Sequence, residues 1–281
     1  MSGESPSGAS SERVDLHCHS FFSDGDHAPG HVAALARAAG LGAFALTDHD
    51  CLDGLQEFVD AAEGFLPVCG VEISARRDQS DVHILGLFID PGDARLIRRL
   101  ADLARSRQTR ATAMVERLRA LGIPIREEDV ARFAGQGTVG RPHVAHVLVE
   151  MGVVAHVEEA FRRYLRPGTP AFIPKPGPAP AEAIVWVHEA GGAAVLAHPG
   201  PLRHDAWIAE MAAEGLDGVE VWHPKHNPVQ RESYLRLARD LGLVPSGGSD
   251  YHGSRVGDSL VGQEPVPAET VERLQERRAR R

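Results

Sequence analysis

The sequence predicts an α/β protein in which seven strands alternate mostly with helices. Short apolar runs alternate with segments whose apolar residues recur at helical spacing. Clusters of His, Asp and Glu follow most of the predicted strands, and a purely helical stretch interrupts the alternation once. In a closed α/β barrel these clusters would share one rim, whereas an open doubly wound sheet would concentrate its site at one switch point.

The first half of the chain predicts four strands and two helices. The strands are expected at 14–16, 43–46, 66–71 and 82–89, and the helices at 29–39 and about 52–63. The connection 74–81 is polar and too short for a usual parallel crossover, so the last two strands should form a hairpin. That hairpin would place His83 next to Glu72.

The second half begins with the helical stretch and returns to strand–helix alternation. Residues 91–180 are expected to form an inserted helical subdomain that ends in a proline-rich connector at 167–180. Strands are then expected at 193–197, 218–221 and 243–245, with helices at 181–190, 205–214 and 229–241. The domain division is therefore a flexible tail at 1–12, a barrel at 13–90 and 181–266, the insert between them, and a C-terminal helix at 267–281.

Composition narrows the class of protein. The formal net charge of -9 argues against binding to long duplex nucleic acid, where clustered basic residues neutralise phosphates. No apolar run reaches membrane-spanning length and the N-terminus lacks the pattern of a signal peptide, which predicts a cytoplasmic protein without membrane contact. The three cysteines contain no Cys-x-x-Cys pair and are expected to be reduced thiols.

The segment V-D-L-H-C-H-S-F-F-S-D-G (14–25) is the strongest local signal for a metal site. His17 and His19 are two residues apart at the end of a strand, and such side chains project to the same side of an extended backbone. Both imidazoles could meet one metal ion, while Cys18 would face the core and Asp24 would offer a carboxylate nearby. A lone His-x-His also occurs by chance, so the hypothesis depends on further ligands.

Further candidate ligands occur near other strand ends. The full set is His17, His19, Asp24, His49, Glu72, His83, His198, Asp250 and His252. Each has an ordinary alternative, since a histidine can cap a helix, a glutamate can pair with a cation and an aspartate can form a turn. Nine such residues on one rim are not a coincidence. Mixed imidazole and carboxylate ligands favour manganese, iron or zinc over sites that use oxygen alone.

The segments D-L-H-C-H-S-F-F-S-D-G, T-D-H-D, G-V-E, V-H-I-L-G, A-H-P and G-S-D-Y-H resemble, in order and spacing, the polymerase and histidinol phosphatase (PHP) family. The resemblance implies a distorted, TIM-like seven-stranded β/α barrel with a trinuclear metal centre, for which manganese is the expected metal. One metal would be held by His17, His19, Glu72 and Asp250, a second by Glu72, His83 and His198, and a third by Asp24, His49 and His252. The sequence departs from the family pattern at Asp24, where many relatives have histidine.

Motifs in the inserted segment and the connector resemble those of one subgroup of this family. G-R-P-H-V-A-H-V-L-V-E (140–150), E-A-F-R-R-Y-L and I-P-K-P resemble the 3',5'-nucleotide bisphosphate phosphatases, some of which are also 5'-to-3' exoribonucleases. The resemblance implies a small nucleotide, or short single-stranded RNA, as substrate. The expected nucleophile is a hydroxide between two cations that share Glu72, with His83 and His198 completing the catalytic ligands.

Four side chains are predicted to contact the substrate. Arg141 can grip a phosphate bidentately, although it could equally be a surface arginine. Lys175 and Lys225 are the only lysines in the chain and both belong to segments expected near the rim. His223 could bind phosphate or protonate the leaving oxygen. Two rival functions remain open: a phosphatase of a small metabolite such as histidinol phosphate, and a non-catalytic, metal-stabilised nucleotide-binding module.

Overall fold

The computed structural model describes residues 13–78, 80–134, 140–174, 177–253 and 258–281. Its strands form one sheet in the order β7-β6-β5-β4-β3-β2-β1-β8. They are β1 (Arg13–Asp15), β2 (Ala43–Leu46), β3 (Leu66–Arg77), β4 (Ser80–Leu87), β5 (Ala193–Leu196), β6 (Gly218–Trp222), β7 (Val244–Gly247) and β8 (Val266–Pro267). Strands β1 to β3 are parallel, as are β5 to β7, and β4 is antiparallel to both of its neighbours.

The two ends of the sheet meet through the residues that follow β1 and β7. The backbone N–H of Leu16 donates to the carbonyl of Gly247 at 3.2 Å, and that of His19 donates to Tyr251 at 2.9 Å. In return the N–H of Asp250 donates to the carbonyl of His17 at 3.0 Å. The sheet is thus a nearly closed barrel, as predicted, and its closure lies at the rim where the candidate ligands follow their strands.

Two details of the sheet differ from the prediction. The sheet has an eighth strand, β8, which pairs antiparallel with β1 and has only two residues, too few for any periodic signal. The hairpin is also longer, because β3 continues to Arg77 and β4 begins at Ser80. His83 therefore pairs with Ser74 rather than with Glu72. Glu72 and Ser74 share one face of β3, so His83 and Glu72 still approach each other side by side.

Helices follow most strands. They are α1 (Pro29–Ala38), α2 (Leu55–Ala61), α3 (Ala94–Ala120), α4 (Glu127–Ala134), α5 (Arg141–Glu150), α6 (Val157–Ala160), α7 (Pro180–Glu189), α8 (Pro199–Leu202), α9 (Ala206–Ala213), α10 (Pro228–Leu241) and α11 (Glu269–Ala279), with one π-helical turn at Phe161–Leu165. The four-residue α8 was not anticipated. No helix in the described ranges is long and apolar enough to cross a membrane.

Strand alternation separates two apolar clusters of the barrel. Ala43 and Ala45 of β2 belong to one cluster, whereas Phe44 and Leu46 pack with helix residues such as Val32 in the other. The first cluster fills the barrel interior and the second lies between strands and helices. In β2 the smaller side chains thus face the interior and the larger ones face the helices.

The helices of the insert pack around a third apolar cluster of their own. Helix α3 contributes side chains to two clusters. Leu96, Leu100 and Leu103 pack on the barrel, whereas Met114 and Leu118 pack in the insert. The first half of α3 is therefore part of the barrel wall. One continuous helix therefore joins the barrel to the apolar cluster of the insert.

Candidate metal centre

His17 and His19 follow β1 and point into one space. Both side chains are fully buried and their Nε2 atoms lie 3.1 Å apart. Cys18 between them faces the opposite way, into the cluster that contains Phe44. The extended backbone after β1 therefore presents two imidazoles together at the rim.

Glu72 of β3 lies at the centre of the histidines and is also fully buried. Its oxygen Oε2 approaches the ring nitrogens of three histidines, at 3.2 Å from His17, 3.1 Å from His19 and 3.1 Å from His49. Its oxygen Oε1 approaches two others, at 2.7 Å from His83 and 3.0 Å from His198. A carboxylate with imidazoles at both oxygens is suited to serve as a metal ligand together with them.

Asp24 approaches two of these histidines, His19 and His49, from the side away from Glu72. Its carboxylate oxygens are 3.6 Å from His49 Nε2, 3.3 Å from His252 Nε2 and 3.7 Å from His19 Nδ1. These four side chains form a compact group in which one ligand atom of each lies within 4.8 Å of the others. His19 and His49 thus stand between Glu72 and Asp24, with one ring nitrogen directed at each.

Asp250, in the segment after β7, is the last of the predicted ligands in this cluster. Its Oδ1 is 3.4 Å from the Nε2 atoms of both His17 and His19. Its Oδ2 is 3.3 Å from His223 Nε2 and accepts a 2.7 Å hydrogen bond from Lys225 Nζ. The structure brings all nine predicted ligands into one cluster.

The electrostatics of this cluster favour positive charge at its centre. Burial lowers the pKa of His17, but Glu220, Glu72 and Asp250 raise it well above 6.5. Burial likewise opposes a charged His19, yet Asp250 and Glu72 raise its pKa to about 10. Burial would raise the pKa of Glu72, but the surrounding imidazoles hold it well below 4.5. Ionised carboxylates that stabilise extra protons on histidine would equally stabilise divalent cations, so the ligand set fits metal ions.

A cavity of about 390 Å³ opens onto the cluster. Its lining consists of Asp24, His49, Glu72, His83, His198, His223, Pro224, Lys225, Ser249, Asp250, His252, Asp258 and Ser259. Seven of the nine predicted ligands reach this lining, whereas His17 and His19 lie behind it. A small molecule that entered this cavity could therefore reach these seven side chains.

The four predicted substrate contacts have different placements. Lys225 lines the cavity, and its ammonium donates a hydrogen bond to the carboxylate of Asp250. His223 lines it too, although its ring is fully buried between Asp250 and the backbone N–H of Lys225, which donates to its Nδ1. Arg141 begins α5 and is absent from the described lining, with its guanidinium 5.8 Å from the ring centres of Phe161 and Phe172. Lys175 lies outside the described residues.

Buried acids hold the loops that carry the ligands. Asp15 accepts hydrogen bonds from the backbone N–H groups of Ser249, at 2.9 Å, and Gly262, at 2.8 Å. Asp48 accepts from the N–H of Ser20 at 2.7 Å and from the hydroxyl of Ser23 at 2.6 Å. Both acids therefore act on loop backbone and hydroxyl groups rather than on the neighbouring ligand rings.

One residue in contact with the cluster was missed by the sequence reasoning. Glu220 of β6 is fully buried, and its Oε1 lies 3.1 Å from His17 Nδ1. The available signal was an acid in the middle of the apolar strand G-V-E-V-W. A charged residue that is buried in this way needs a charged or hydrogen-bonding partner.

Comparison with known proteins identifies the family. The PHP domain matches residues 15–125. A 3',5'-nucleoside bisphosphate phosphatase of Chromobacterium violaceum is 36% identical over 259 residues, which are 89% of this chain and 90% of that protein. The chain belongs to the PHP family. A 5'-3' exoribonuclease of Haemophilus influenzae, also similar, is 35% identical over 250 residues, 86% of this chain and 90% of that protein.

A solved structure with a similar sequence has the same fold. It comes from Bifidobacterium adolescentis, is described as a proposed metal-dependent phosphoesterase, and superimposes with a TM-score of 0.79 at 36% identity. The match covers 94% of this chain and 96% of that one. Together with the clustered histidines and carboxylates, these relatives make the present PHP protein a metal-dependent phosphoester hydrolase.

Proposed function

We propose that this PHP protein removes the 3'-phosphate from nucleoside 3',5'-bisphosphates, giving a nucleoside 5'-monophosphate and phosphate. The observation that carries the proposal is the pairing of the ligand cluster with a group of buried arginines supplied by the insert. The similarity to the Chromobacterium violaceum bisphosphate phosphatase supports the same substrate class. The ligand cluster would take the 3'-phosphate and the arginines the 5'-phosphate.

The arginines begin at the edge of the ligand cluster. Arg107 of α3 is buried and forms an ion pair with Asp50, which directly follows His49. Arg110 lies three residues further along α3, so it occupies the same helix face about 5 Å from Arg107. Helix α3 thus presents two buried arginines, the first of which contacts the residue after His49.

Arg110 has unused capacity for an anion. Its Nε donates to the carbonyl of Ile173 at 2.9 Å, while its buried Nη2 has no hydrogen-bond partner among the described residues. Burial, together with the charges of Arg141 and Arg76, lowers the pKa of Arg110 to about 10. A phosphate would satisfy the unpaired N–H and offset the repulsion between these guanidinium groups.

Arg141 and Arg110 contact adjacent residues of the proline-rich connector. The Arg141 guanidinium lies over Phe172, the residue before Ile173, whose carbonyl holds Arg110. Phe172 and Ile173 thereby bring the two arginines to one short stretch of chain, two residues before Lys175. We propose that Arg141 and Lys175 contact the 5'-phosphate together with Arg110.

The proposed metal content is three divalent cations, with manganese preferred over iron or zinc because imidazoles and carboxylates are mixed in the ligand set. His17, His19, Glu72 and Asp250 would hold the first, Glu72, His83 and His198 the second, and Asp24, His49 and His252 the third. When bound, such cations lower the pKa of water and offset charge on phosphoryl oxygens. No covalent phosphoenzyme is required.

The remaining polar groups of the cavity would act on the phosphate and the leaving oxygen. Lys225 has an ammonium at the cavity wall that can turn from Asp250 towards a phosphate oxygen. Glu72 would be a ligand shared by the first two cations, since one of its oxygens approaches His17 and the other approaches His83. His223 could protonate the leaving oxygen only by giving up its contact with Asp250, so we assign it first to orienting that carboxylate and the phosphate beside it.

The same site would also trim short RNA from its 5' end. The first nucleotide of a 5'-phosphorylated RNA carries a 5'-phosphate and a 3'-phosphoryl group in the same relation as the bisphosphate. The Haemophilus influenzae relative named as a 5'-3' exoribonuclease supports this second activity. A net charge of -9 favours such small or single-stranded substrates over long duplexes. The three free thiols support the cytoplasm as its compartment.

Steady-state kinetics with four phosphate esters test the proposal. Manganese-loaded protein should prefer adenosine 3',5'-bisphosphate to adenosine 3'-monophosphate, and should act poorly on adenosine 5'-monophosphate and histidinol phosphate. A preference for histidinol phosphate would overturn the proposal in favour of a metabolite phosphatase. Absence of turnover of any ester with manganese bound would favour a non-catalytic module.

The role of Arg141 is tested by replacing it with alanine. Loss of one charge-assisted hydrogen bond, about 1.5–3 kcal/mol, should raise KM for the bisphosphate about tenfold to a hundredfold. KM for adenosine 3'-monophosphate should not change, because this ester lacks the 5'-phosphate. Arg132→Ala is the matched control, an exposed arginine of the same insert that pairs with Glu150. Equal effects of Arg141→Ala on both esters would exclude Arg141 from the 5'-phosphate.

A further inference from the structure

Glu220 contacts two predicted metal ligands from a position that the ligand set does not include. Its Oε1 lies 3.1 Å from the Nδ1 atom of His17. Its Oε2 accepts a 2.7 Å hydrogen bond from the backbone N–H of His198. The carboxylate comes from β6, whereas His17 follows β1 and His198 follows β5. One side chain therefore ties together ligands from two other strands of the barrel.

The first contact determines which nitrogen of His17 carries a proton. A carboxylate only accepts hydrogen bonds, so Nδ1 must donate to Glu220. A neutral His17 then has its lone pair on Nε2, which lies 3.2 Å from Glu72 Oε2 and 3.1 Å from His19 Nε2. That lone pair is directed at the centre of the ligand cluster, as metal coordination requires.

The second contact supports an unusual backbone at His198. This residue has φ 28° and ψ 62°, a left-handed conformation that side chains other than glycine rarely adopt. The hydrogen bond from its N–H to Glu220 compensates part of that cost. In this conformation the His198 ring reaches Glu72 Oε1 at 3.0 Å, whereas His17 approaches the other oxygen, Oε2.

Glu220 could in principle bind a metal itself, together with His17 and His223, because their ligand atoms lie close together. Both of its oxygens, however, are already engaged with His17 and His198. His223 is also committed, since its Nδ1 accepts from the N–H of Lys225 and its Nε2 faces Asp250. These contacts favour a supporting role over direct coordination.

We infer that Glu220 is a positioning residue that fixes the tautomer of His17 and the backbone of His198, and thereby sets the affinity of the two metal positions that share Glu72. The inference rests on the metal binding in the proposed function but not on its nucleotide substrate.

Glu220→Gln tests the inference because glutamine has one oxygen and one amide nitrogen. It cannot accept from both His17 and His198, and an amide N–H directed at His17 would move the ring proton to Nε2. Competition with a chelator should show manganese binding weakened about tenfold to a hundredfold, with the manganese concentration for half-maximal activity rising by the same factor. The kcat at saturating manganese should return close to the wild-type value.

Glu264→Gln is the matched control, since Glu264 is also buried but pairs with Arg231 instead of a ligand. Its manganese affinity should equal that of the wild type. Should Glu220→Gln not fold, Glu220→Asp keeps the charge but shortens the side chain, and a smaller loss of affinity is expected. A variant with wild-type manganese affinity would overturn the inference, as would permanent loss of one bound cation at saturation, which would make Glu220 a ligand.

These measurements separate the inference from the proposed substrate. If the wild-type protein does not hydrolyse the bisphosphate, but Glu220→Gln still binds manganese more weakly, the proposed function fails and the role of Glu220 stands. If the wild-type protein hydrolyses the bisphosphate and manganese affinity is unchanged in Glu220→Gln, the proposed function stands and the proposed role of Glu220 fails. A fall in melting temperature without a change in manganese affinity would show a purely structural role.

Discussion

Gly248→Ala should displace a predicted metal ligand without removing any ligand atom. A Cβ at Gly248 would lie 2.5 Å from both the Cβ and the backbone nitrogen of His17, and 2.8 Å from Asp15 Oδ1. Ordinary contacts begin at 3.4 Å, so the two segments must separate by about 0.9 Å. The contacts are with backbone and with the first side-chain atom, which cannot turn away.

The magnitude follows from this displacement. Forcing one extra carbon into a packed site costs about 1–3 kcal/mol, and each kcal/mol lowers the melting temperature by roughly 2–4 °C in a chain of this size. A shift of His17 by nearly 1 Å should reduce kcat/KM about a hundredfold. Differential scanning fluorimetry, chelator competition and steady-state kinetics measure the three effects.

Gly30→Ala is the control for Gly248→Ala. This glycine lies near the start of α1, where an added Cβ would meet the carboxylate end of Glu57 at 3.3 Å and Ala61 Cβ at 3.7 Å, an ordinary contact. Alanine favours the helix, so stability and metal binding should be unchanged or slightly improved. Wild-type melting temperature and manganese affinity in Gly248→Ala would refute the claim that this close approach positions His17.

Three further predictions address the ligands and the fold. His83→Ala and His198→Ala should each reduce turnover about a thousandfold, the equivalent of several kcal/mol of lost charge stabilisation, while circular dichroism stays unchanged and the exposed His146→Ala remains fully active. Asp50→Asn should break the buried ion pair with Arg107 and lower the unfolding free energy by about 3–5 kcal/mol; a denaturant midpoint equal to wild type would contradict this. Burial would raise the pKa of Asp217, but His188 and Arg281 lower it below 3.8. The ionised carboxylate therefore stabilises the fold above that value and loses this contribution as the pH falls, so Asp217→Asn should be less stable than wild type at pH 7 and the difference should shrink towards pH 3.

Local periodicity predicted most of the fold. Strand β2 was predicted at its observed bounds and α1 within one residue, because apolar spacing and the following glycine are both local signals. The ligand cluster followed from one regularity, polar residues at strand ends. A barrel brings those ends to one rim, so residues as distant in sequence as His17 and Asp250 could be placed together.

Other features depend on contacts that no local pattern records. Strand β8 exists because its two residues meet β1, and β3 extends to Arg77 because β4 pairs along its whole length. The sequence of α3 has the pattern of one amphipathic helix, yet its two halves pack in different apolar clusters. Glu220 was overlooked because its partners come from β1 and β5, so only the folded barrel reveals that this acid supports ligands.

The central claim is metal-dependent removal of the 3'-phosphate, and phosphorus NMR of adenosine 3',5'-bisphosphate during turnover tests it most directly. With manganese removed after the reaction to sharpen the spectrum, the 3'-phosphate signal should be replaced by inorganic phosphate while the 5'-phosphate signal remains. Chelation of the metal before the reaction should leave both signals intact. Loss of the 5'-phosphate, or equal turnover by chelator-treated protein, would contradict the account.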